Sequence, residues 1–337
     1  KNKVQLNSIS VIKIIKDVKK NGDKAILKYE KRFNKNSVIA PSIKQINRTI
    51  QSLDPKVKKA IDLAYDRIYK FHSLQKFKNI SYTDKLKNKL EYKYVPIESV
   101  AIYVPGSTAS YPSSVLMNAV PAIVAGVKRL VMVNPGQKGK QNPAVLYAAK
   151  KCKIKEIYSI GGPSAITAVA YGTKKIKKVD KIVGPGNIFV TIAKKEVFGE
   201  VGIDMVAGPS EITVVANQDN DSTLTAIDLL SQAEHDELSQ AILVTTNLKF
   251  GLEVKSKIYK FLDILPRKQI AKKAIDKNSA IIVCKNFKEV VSVVNVIAPE
   301  HLEIKTKNNS VLAKQIKNAG SIFLGENSPE AIGDYLA

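Results

Sequence analysis

The sequence predicts an α/β protein with two parallel sheets, each covered by helices on both faces, and three observations carry that expectation. From residue 99 onward, short β-branched runs of strand length alternate with stretches whose apolar residues recur at helical spacing. The alternation is gone through twice, giving two α/β halves. Glycine, proline and serine concentrate in the turns where a strand hands over to a helix.

Residues 1–95 read mainly as helix. "SVIKIIKDVKKNGDKAILKYEKRF" and "PKVKKAIDLAYDRIYKFHSLQ" both carry apolar residues at helical spacing, with His72 on the second as a surface or packing residue. The strand runs that follow are "SVAIYV", "RLVMVN", "EIYSIG", "KIVG" and "EITVVA". Between them lie the helical stretches "SSVLMNAVPAIVAGV", "NPAVLYAAKK", "SAITAVAYG" and "NIFVTIAKKEVF". The second series is a helix over 222–236, strand "AILVTT", a helix over 251–262, strand "AIIVC", a helix over 287–296, strand "LEIKT", a helix over 310–318 and strand "SIFLG". A chain of 337 residues is long enough for two packed domains. The pattern groups the N-terminal helices with the second half, so that 1–100 and 211–337 form the first domain and 101–210 an inserted second one.

Composition narrows the function. Apolar residues make up 45% of the chain, and no run reaches the 18 or so apolar residues of a membrane span. "KNKVQLNSIS" starts with charge, but no apolar stretch of signal-peptide type follows it. Cys152 and Cys284 lie far apart and outside any metal-type spacing, which fits a reducing cytoplasm rather than a disulfide framework. Neither thiol reads as a nucleophile: one sits in "KKCKIKE" and the other ends the apolar run "AIIVC". The net charge of +24 invites a nucleic-acid partner, but arginine occurs only at 32, 48, 67, 129 and 267, tryptophan is absent, and the lysines are scattered over every helix. Base readout and bidentate phosphate binding favour arginine with interleaved aromatics, so neither nucleic acid nor membrane is an expected partner.

Active sites in open α/β sheets lie beyond the C-terminal ends of the strands. Here those positions carry "YVPGSTASYPSS", "GGPSA", "GPGN" and "AGPSE", loops whose backbone N–H groups and following helix N-termini suit a nucleotide phosphate. "GPGNIF" matches only the first half of the dinucleotide fingerprint, with Phe189 in place of the third glycine. A second feature is "LLSQAEHD" at 229–236, which places one of only three histidines on a helix. Gln232 and His235, at i and i+3, project from one helical face and can converge on one point.

Six strings taken together, "YVPGSTASYPSSVLMNAVPAIVAGV", "KVDKIVGPGN", "IDMVAGPSE", "DLLSQAEHD", "PEHLEI" and "AGSIFLGENSPEAIGDY", resemble the histidinol dehydrogenase family, in order and over nearly the whole chain. The resemblance implies two related Rossmann-like α/β/α domains of aldehyde-dehydrogenase type, with small C-terminal domains that follow beyond "GDYLA". It implies a cytoplasmic homodimer that oxidises L-histidinol to L-histidine through the aldehyde, using NAD and one zinc ion per subunit. By the same resemblance Gln232, His235 and Asp334 are zinc ligands, and a further zinc histidine and a substrate carboxylate come from the stretch beyond Ala337. Glu300 activates the water that attacks the aldehyde, and His301 takes the proton from the alcohol. Ser210, Gln232, His235, His301 and Asp334 contact the substrate, and Tyr103 and Asn187 contact NAD. The chemistry is consistent: hydride leaves carbon only as oxygen loses its proton, and the second oxidation needs a hydrate. Zinc accepts imidazole and carboxylate oxygen and here would orient the substrate. Two positions depart from the family: Ser164 stands where glutamine is usual, shortening or losing an NAD contact, and Ser107 stands where a second glycine is common. A non-catalytic homologue and a dehydrogenase of another amino alcohol remain the alternatives, and the retention of Gln232, His235, Glu300, His301 and Asp334 together favours the enzyme.

Overall fold

The computed structural model describes residues 2–106, 111–136 and 140–336, and the chain separates into two compact units, residues 1–207 with 334–337, and residues 208–333. Ser107 lies outside the described residues.

The first unit opens with four helices, α1 (Asn2–Asn21), α2 (Asp23–Phe33), α3 (Ile43–Gln51) and α4 (Pro55–Ser73), followed by an antiparallel pair, β1 (Ile80–Thr83) and β2 (Lys89–Tyr92). Strand–helix alternation then gives β3 (Ser99–Tyr103), α5 (Pro112–Ala125), β4 (Arg129–Val133), α6 (Pro143–Lys151), β5 (Glu156–Tyr158), α7 (Gly162–Tyr171), β6 (Lys181–Val183), α8 (Ile188–Val197) and β7 (Gly202–Ile203). The five strands β3 to β7 pair in parallel in the order β5-β4-β3-β6-β7. Side chains alternate across this sheet as the pleat requires. Ala101, Tyr103, Val131 and Val133 pack with α7 and α8 on one face, while Val100, Ile102, Met132 and Ile157 pack with α5 and α6 on the other.

The N-terminal helices belong to this sheet, which corrects the expected grouping with the second half. Val11, Ile15 and Val18 of α1 and Ala25 and Ile26 of α2 join the core on the α7–α8 face. Ile50 of α3 and Ile61, Ala64 and Ile68 of α4 join the opposite core. Their apolar stripes are burial-driven, each large side chain contributing about 1.5–3 kcal/mol. An amphipathic stripe states that a helix must be covered but not by which sheet. The β1–β2 pair also falls in the stretch read as helical. Its turn is held by Asp84, whose Oδ1 accepts from the N–H groups of Leu86 and Asn88, both at 2.8 Å.

The second unit repeats the plan: β8 (Glu211–Val215), α9 (Ser222–Ala233), β9 (Gln240–Thr245), α10 (Leu248–Leu262), α11 (Lys268–Asn278), β10 (Ala280–Val283), α12 (Phe287–Ile297), β11 (His301–Ile304), α13 (Asn309–Ala313) and β12 (Ser321–Leu324). Its strands are parallel in the order β10-β9-β8-β11-β12, the same third-second-first-fourth-fifth arrangement as in the first unit. Ile212, Val214 and Leu243 face α9, α10 and α11, while Val215, Ile242, Val244, Leu302 and Ile304 face α12 and α13. Both halves are therefore three-layer α/β/α sandwiches. Asp221 caps α9 by accepting from Thr223 N at 2.6 Å, and α9 stops at Ala233, three residues short of the span read from the sequence. Among the described residues no helix is long and apolar enough to cross a membrane.

Candidate functional site

The densest group of predicted residues lies in the second unit, where β11 begins. Glu300 precedes the strand and His301 is its first residue, paired in register with Ile212 of β8, so the His301 ring projects on the α9 face. Close packing fixes the entry: Gly320 has no room for a side chain, since a Cβ there would meet Glu300 O at 2.6 Å. Helix α9 runs back against the strands and delivers Gln232 to the same edge. The group thus sits at the N-terminal ends of the second sheet's strands, not beyond their C-terminal ends as expected. The loop "AGPSE" likewise leads into β8.

Both nitrogens of the His301 ring are approached by polar groups. Nδ1 lies 3.0 Å from Gln232 Nε2, 3.1 Å from the carbonyl oxygen of Glu211 and 3.8 Å from Glu300 Oε2. Nε2 lies 3.7 Å from Glu330 Oε1. When Nδ1 carries the proton it donates to Glu211 O and leaves Nε2 bare. When Nδ1 is bare it accepts from the Gln232 amide. Glu300 also accepts from the Glu211 N–H at 3.2 Å, and its side chain is 48% exposed, open to water.

Gln232 is fully buried, and its Oε1 has no hydrogen-bond partner among the described residues. A buried carbonyl oxygen left without a donor costs roughly 1–3 kcal/mol. Its Nε2 is aimed at His301, so the orphaned oxygen is the atom a cation would satisfy. His235 emerges exposed from the turn after α9, its N–H donating to Gln232 O at 3.2 Å. The i, i+3 relation to Gln232 therefore survives in a tightened last turn rather than on regular helix. Ser210 is half-buried and accepts from Gln240 N at 3.0 Å. Asp334 is exposed on the short helix Gly333–Leu336 and groups with the first unit. Among the described residues no three His, Cys, Asp or Glu side chains converge as a metal cluster, so the amide oxygen of Gln232 is the feature that fits zinc.

Beneath His301 lies a set of buried charges that the sequence reading did not single out. The β11 pleat puts His301 and Glu303 on the α9 face, and Lys305 continues the alternation just past the strand. Glu303 and Lys305 have side chains 0% and 1% exposed, and Lys305 Nζ meets Asp228 Oδ2 at 2.5 Å, Glu303 Oε2 at 3.4 Å and Glu326 O at 3.1 Å. Glu303 Oε1 accepts from the backbone N–H of Glu330 at 2.8 Å. Burial, reinforced by the Asp228 carboxylate, pushes Glu303 up to about 7, against the opposing pull of Lys305. The available signal was "HLEIK" itself, with a charged or titratable residue at every second position of a buried strand.

In the first unit Tyr103 ends β3, Ser164 lies in the first turn of α7 after β5, and Asn187 precedes α8 after β6. The Tyr103 hydroxyl accepts from Gly162 N at 3.1 Å, and burial pushes it up to about 12. Gly161 N donates to the buried carboxylate of Glu30 at 2.8 Å, and Ser164 Oγ donates to Gly161 O at 2.9 Å. Gly184 N donates to Asp204 Oδ2 at 2.7 Å, and Lys194, paired with Asp204, donates to Gly184 O at 3.0 Å. Gly184 has φ +108° and lies so close to β3 that a Cβ would meet Tyr103 O at 2.2 Å. Three amides read as a phosphate cradle are therefore engaged by the protein's own Glu30, Tyr103 and Asp204. Asn187 is exposed and caps α8, its Oδ1 accepting from Phe189 N and Val190 N, both at 3.2 Å. Both cysteines are buried, and burial pushes the Cys152 thiol up to about 12 and raises Cys284 as well, so neither offers a thiolate.

Set beside known proteins, residues 1–337 match the family model described as histidinol dehydrogenase. A histidinol dehydrogenase of Pelagibacter ubique (strain HTCC1062) is 74% identical over 336 residues, covering 99% of this chain and 78% of that protein. One from Sulfurimonas denitrificans (strain ATCC 33889 / DSM 1251) is 44% identical over 335 residues, covering 98% of this chain and 78% of that protein. The crystal structure of a histidinol dehydrogenase from Elizabethkingia anophelis superposes with a TM-score of 0.92 at 39% identity, covering 96% of this chain and 76% of that one.

Proposed function

The chain belongs to the histidinol dehydrogenase family, oxidoreductases of the last steps of histidine biosynthesis, and we propose that it oxidises L-histidinol to L-histidine through L-histidinal. The reading takes NAD as hydride acceptor and one zinc ion per subunit. The observation that carries it is the His301 ring, flanked by Glu300 and Glu330, beside a buried Gln232 whose oxygen lacks a donor.

His301 takes the hydroxyl proton as the carbinol carbon gives up hydride, leaving the aldehyde. Glu300, half in solvent, then draws a proton from the water that adds to the aldehyde carbon, while protonated His301 returns its proton to the aldehyde oxygen, giving the gem-diol and freeing the ring. The gem-diol gives up its one carbon-bound hydrogen as the second hydride while His301 takes the proton of a hydroxyl, leaving the acid. Zinc held by Gln232, His235 and Asp334 would supply a fixed anchor for the substrate's imidazole and amine. Ser210 borders that substrate position. On the nucleotide side, Tyr103 and Asn187 contact NAD, Asn187 through the amide nitrogen that capping leaves over. Ser164 turns its hydroxyl to Gly161 O, which supports a shortened contact there. The reading further takes the protein as a cytoplasmic homodimer without nucleic-acid or membrane partners, and two buried, unbridged cysteines suit that compartment.

The test is stoichiometric. Zinc-loaded protein given L-histidinol should form two NADH per substrate consumed, with aldehyde not released. His301→Asn should slow alcohol oxidation, whereas Glu300→Gln should mainly block oxidation of supplied aldehyde. One NADH with aldehyde accumulating, or equal losses in both half-reactions for both variants, would refute the assignment.

A further inference from the structure

We propose that Glu303 and Glu330 are positioning residues for His301: buried Glu303 holds the backbone of the turn at Glu330, and the Glu330 carboxylate holds the Nε2 side of the ring. The inference rests on the reading of His301 as the proton acceptor and adds the device that keeps its ring in place.

Four observations support it. The ring is approached at both nitrogens, Nδ1 from Gln232, Glu211 O and Glu300, and Nε2 from Glu330 at 3.7 Å. A carboxylate facing each nitrogen resists rotation of the ring, most strongly once it carries the proton it has taken. Second, a long-range bond ties Glu330 to the strand, its N–H donating to Glu303 Oε1 at 2.8 Å, at the head of the 3₁₀ turn Glu330–Ile332. Third, Glu303 is itself held. Lys305 Nζ sits 3.4 Å from its other oxygen and 2.5 Å from Asp228, which lies one helical turn before Gln232 on α9. The same buried charges therefore brace the strand that carries His301 and the helix that carries Gln232. Fourth, stability alone gives no reason for burying two carboxylates and an ammonium here, because well-packed apolar replacements of such groups are often neutral or stabilising. Sites that must hold a group to within a fraction of an ångström retain such supports.

The experiment compares Glu303→Gln, Glu330→Gln and the double variant in the zinc-loaded enzyme. Each single variant should lower kcat for histidinol oxidation about ten-fold, with KM for histidinol and NAD changed less than about two-fold. The double variant should be no slower than the slower single one, because both act through one contact. A second readout does not depend on turnover. These 337 residues hold three histidines, and ¹⁵N-histidine labelling, with each ring assigned by its own substitution, identifies their signals. The His301 signals should move in both single variants while those of His72 and His235 stay in place. Losses that multiply in the double variant, an unchanged kcat in Glu303→Gln, or His301 signals identical to those of the parent would overturn the proposal. If the parent enzyme fails to oxidise histidinol, the function assigned above falls, while the ring signals still decide the positioning role.

Discussion

Replacing Glu303 by glutamine should make the protein more stable, and increasingly so as pH rises. The carboxyl belongs near 4.5 and is pushed up to about 7 in the fold, by burial first and the Asp228 carboxylate second. An acid whose folded value lies above its unfolded one keeps its proton in the fold after the unfolded chain has lost it. Stability is therefore drawn down as pH climbs from about 4.5 to about 7, by up to 1.4 kcal/mol per pH unit, and levels off above that window. The shift corresponds to about 3 kcal/mol at most, and Lys305, 3.4 Å from the carboxylate, holds the cost below what burial alone would impose. Glutamine cannot ionise, and its neutral amide oxygen accepts from Glu330 N more weakly than a carboxylate does, which loosens the turn that carries the Glu330 side chain. Urea unfolding at pH 5, 6, 7 and 8 should show parent and variant nearly equal at pH 5. By pH 8 the variant should lead by about 2–3 kcal/mol. A difference that stays flat across this range, or that favours the parent as pH rises, would refute the reasoning, because it would mean that the Lys305 charge outweighs burial. A variant more stable yet slower is what a support for chemistry predicts. A purely structural carboxylate predicts the opposite in stability.

Other expectations are as sharp. Ile26→Ala, at a site with 0% exposure between α2 and the first sheet, should cost about 2–5 kcal/mol, and hydrogen exchange should show the lost protection in α7 and β3. Protection lost in β8–β12 instead would return the N-terminal helices to the second half. Lys194→Met should leave Asp204 and Gly184 O without their shared partner and weaken NAD binding through the loop that carries Asn187; unchanged affinity by titration calorimetry would show that the pair only braces the fold. Cys152, buried and with its thiol pushed up to about 12, should resist alkylation by iodoacetamide at pH 8 in the native protein and react on unfolding; rapid native labelling would contradict its placement.

What was legible in the sequence follows from which forces are local. Strands such as "RLVMVN" and "EITVVA" announce themselves because a strand buried on both faces must be apolar throughout, and two such series announced two parallel sheets, whose strand order the structure supplies. The partners of the N-terminal helices were not legible, since α1 and α4 carry similar stripes yet cover opposite faces of one sheet, a choice made by chain connection rather than by any residue in them. The end of α9 was missed because no glycine marks it: Glu234 caps in an ordinary helical conformation, and His235 bonds back to Gln232 as a helix would. The site residues were proposed from motifs and their place along the strands was misjudged, since the rule that sites lie beyond strand C-termini describes where Tyr103 and Asn187 lie but not His301. The decisive clue was a broken local rule. A strand that must be apolar on both faces instead reads His, Leu, Glu, Ile, Lys over 301–305, so three of its five positions oppose burial. Burial alone does not favour that pattern, and its position beneath His301 puts the violation on the same strand face as the proposed proton acceptor.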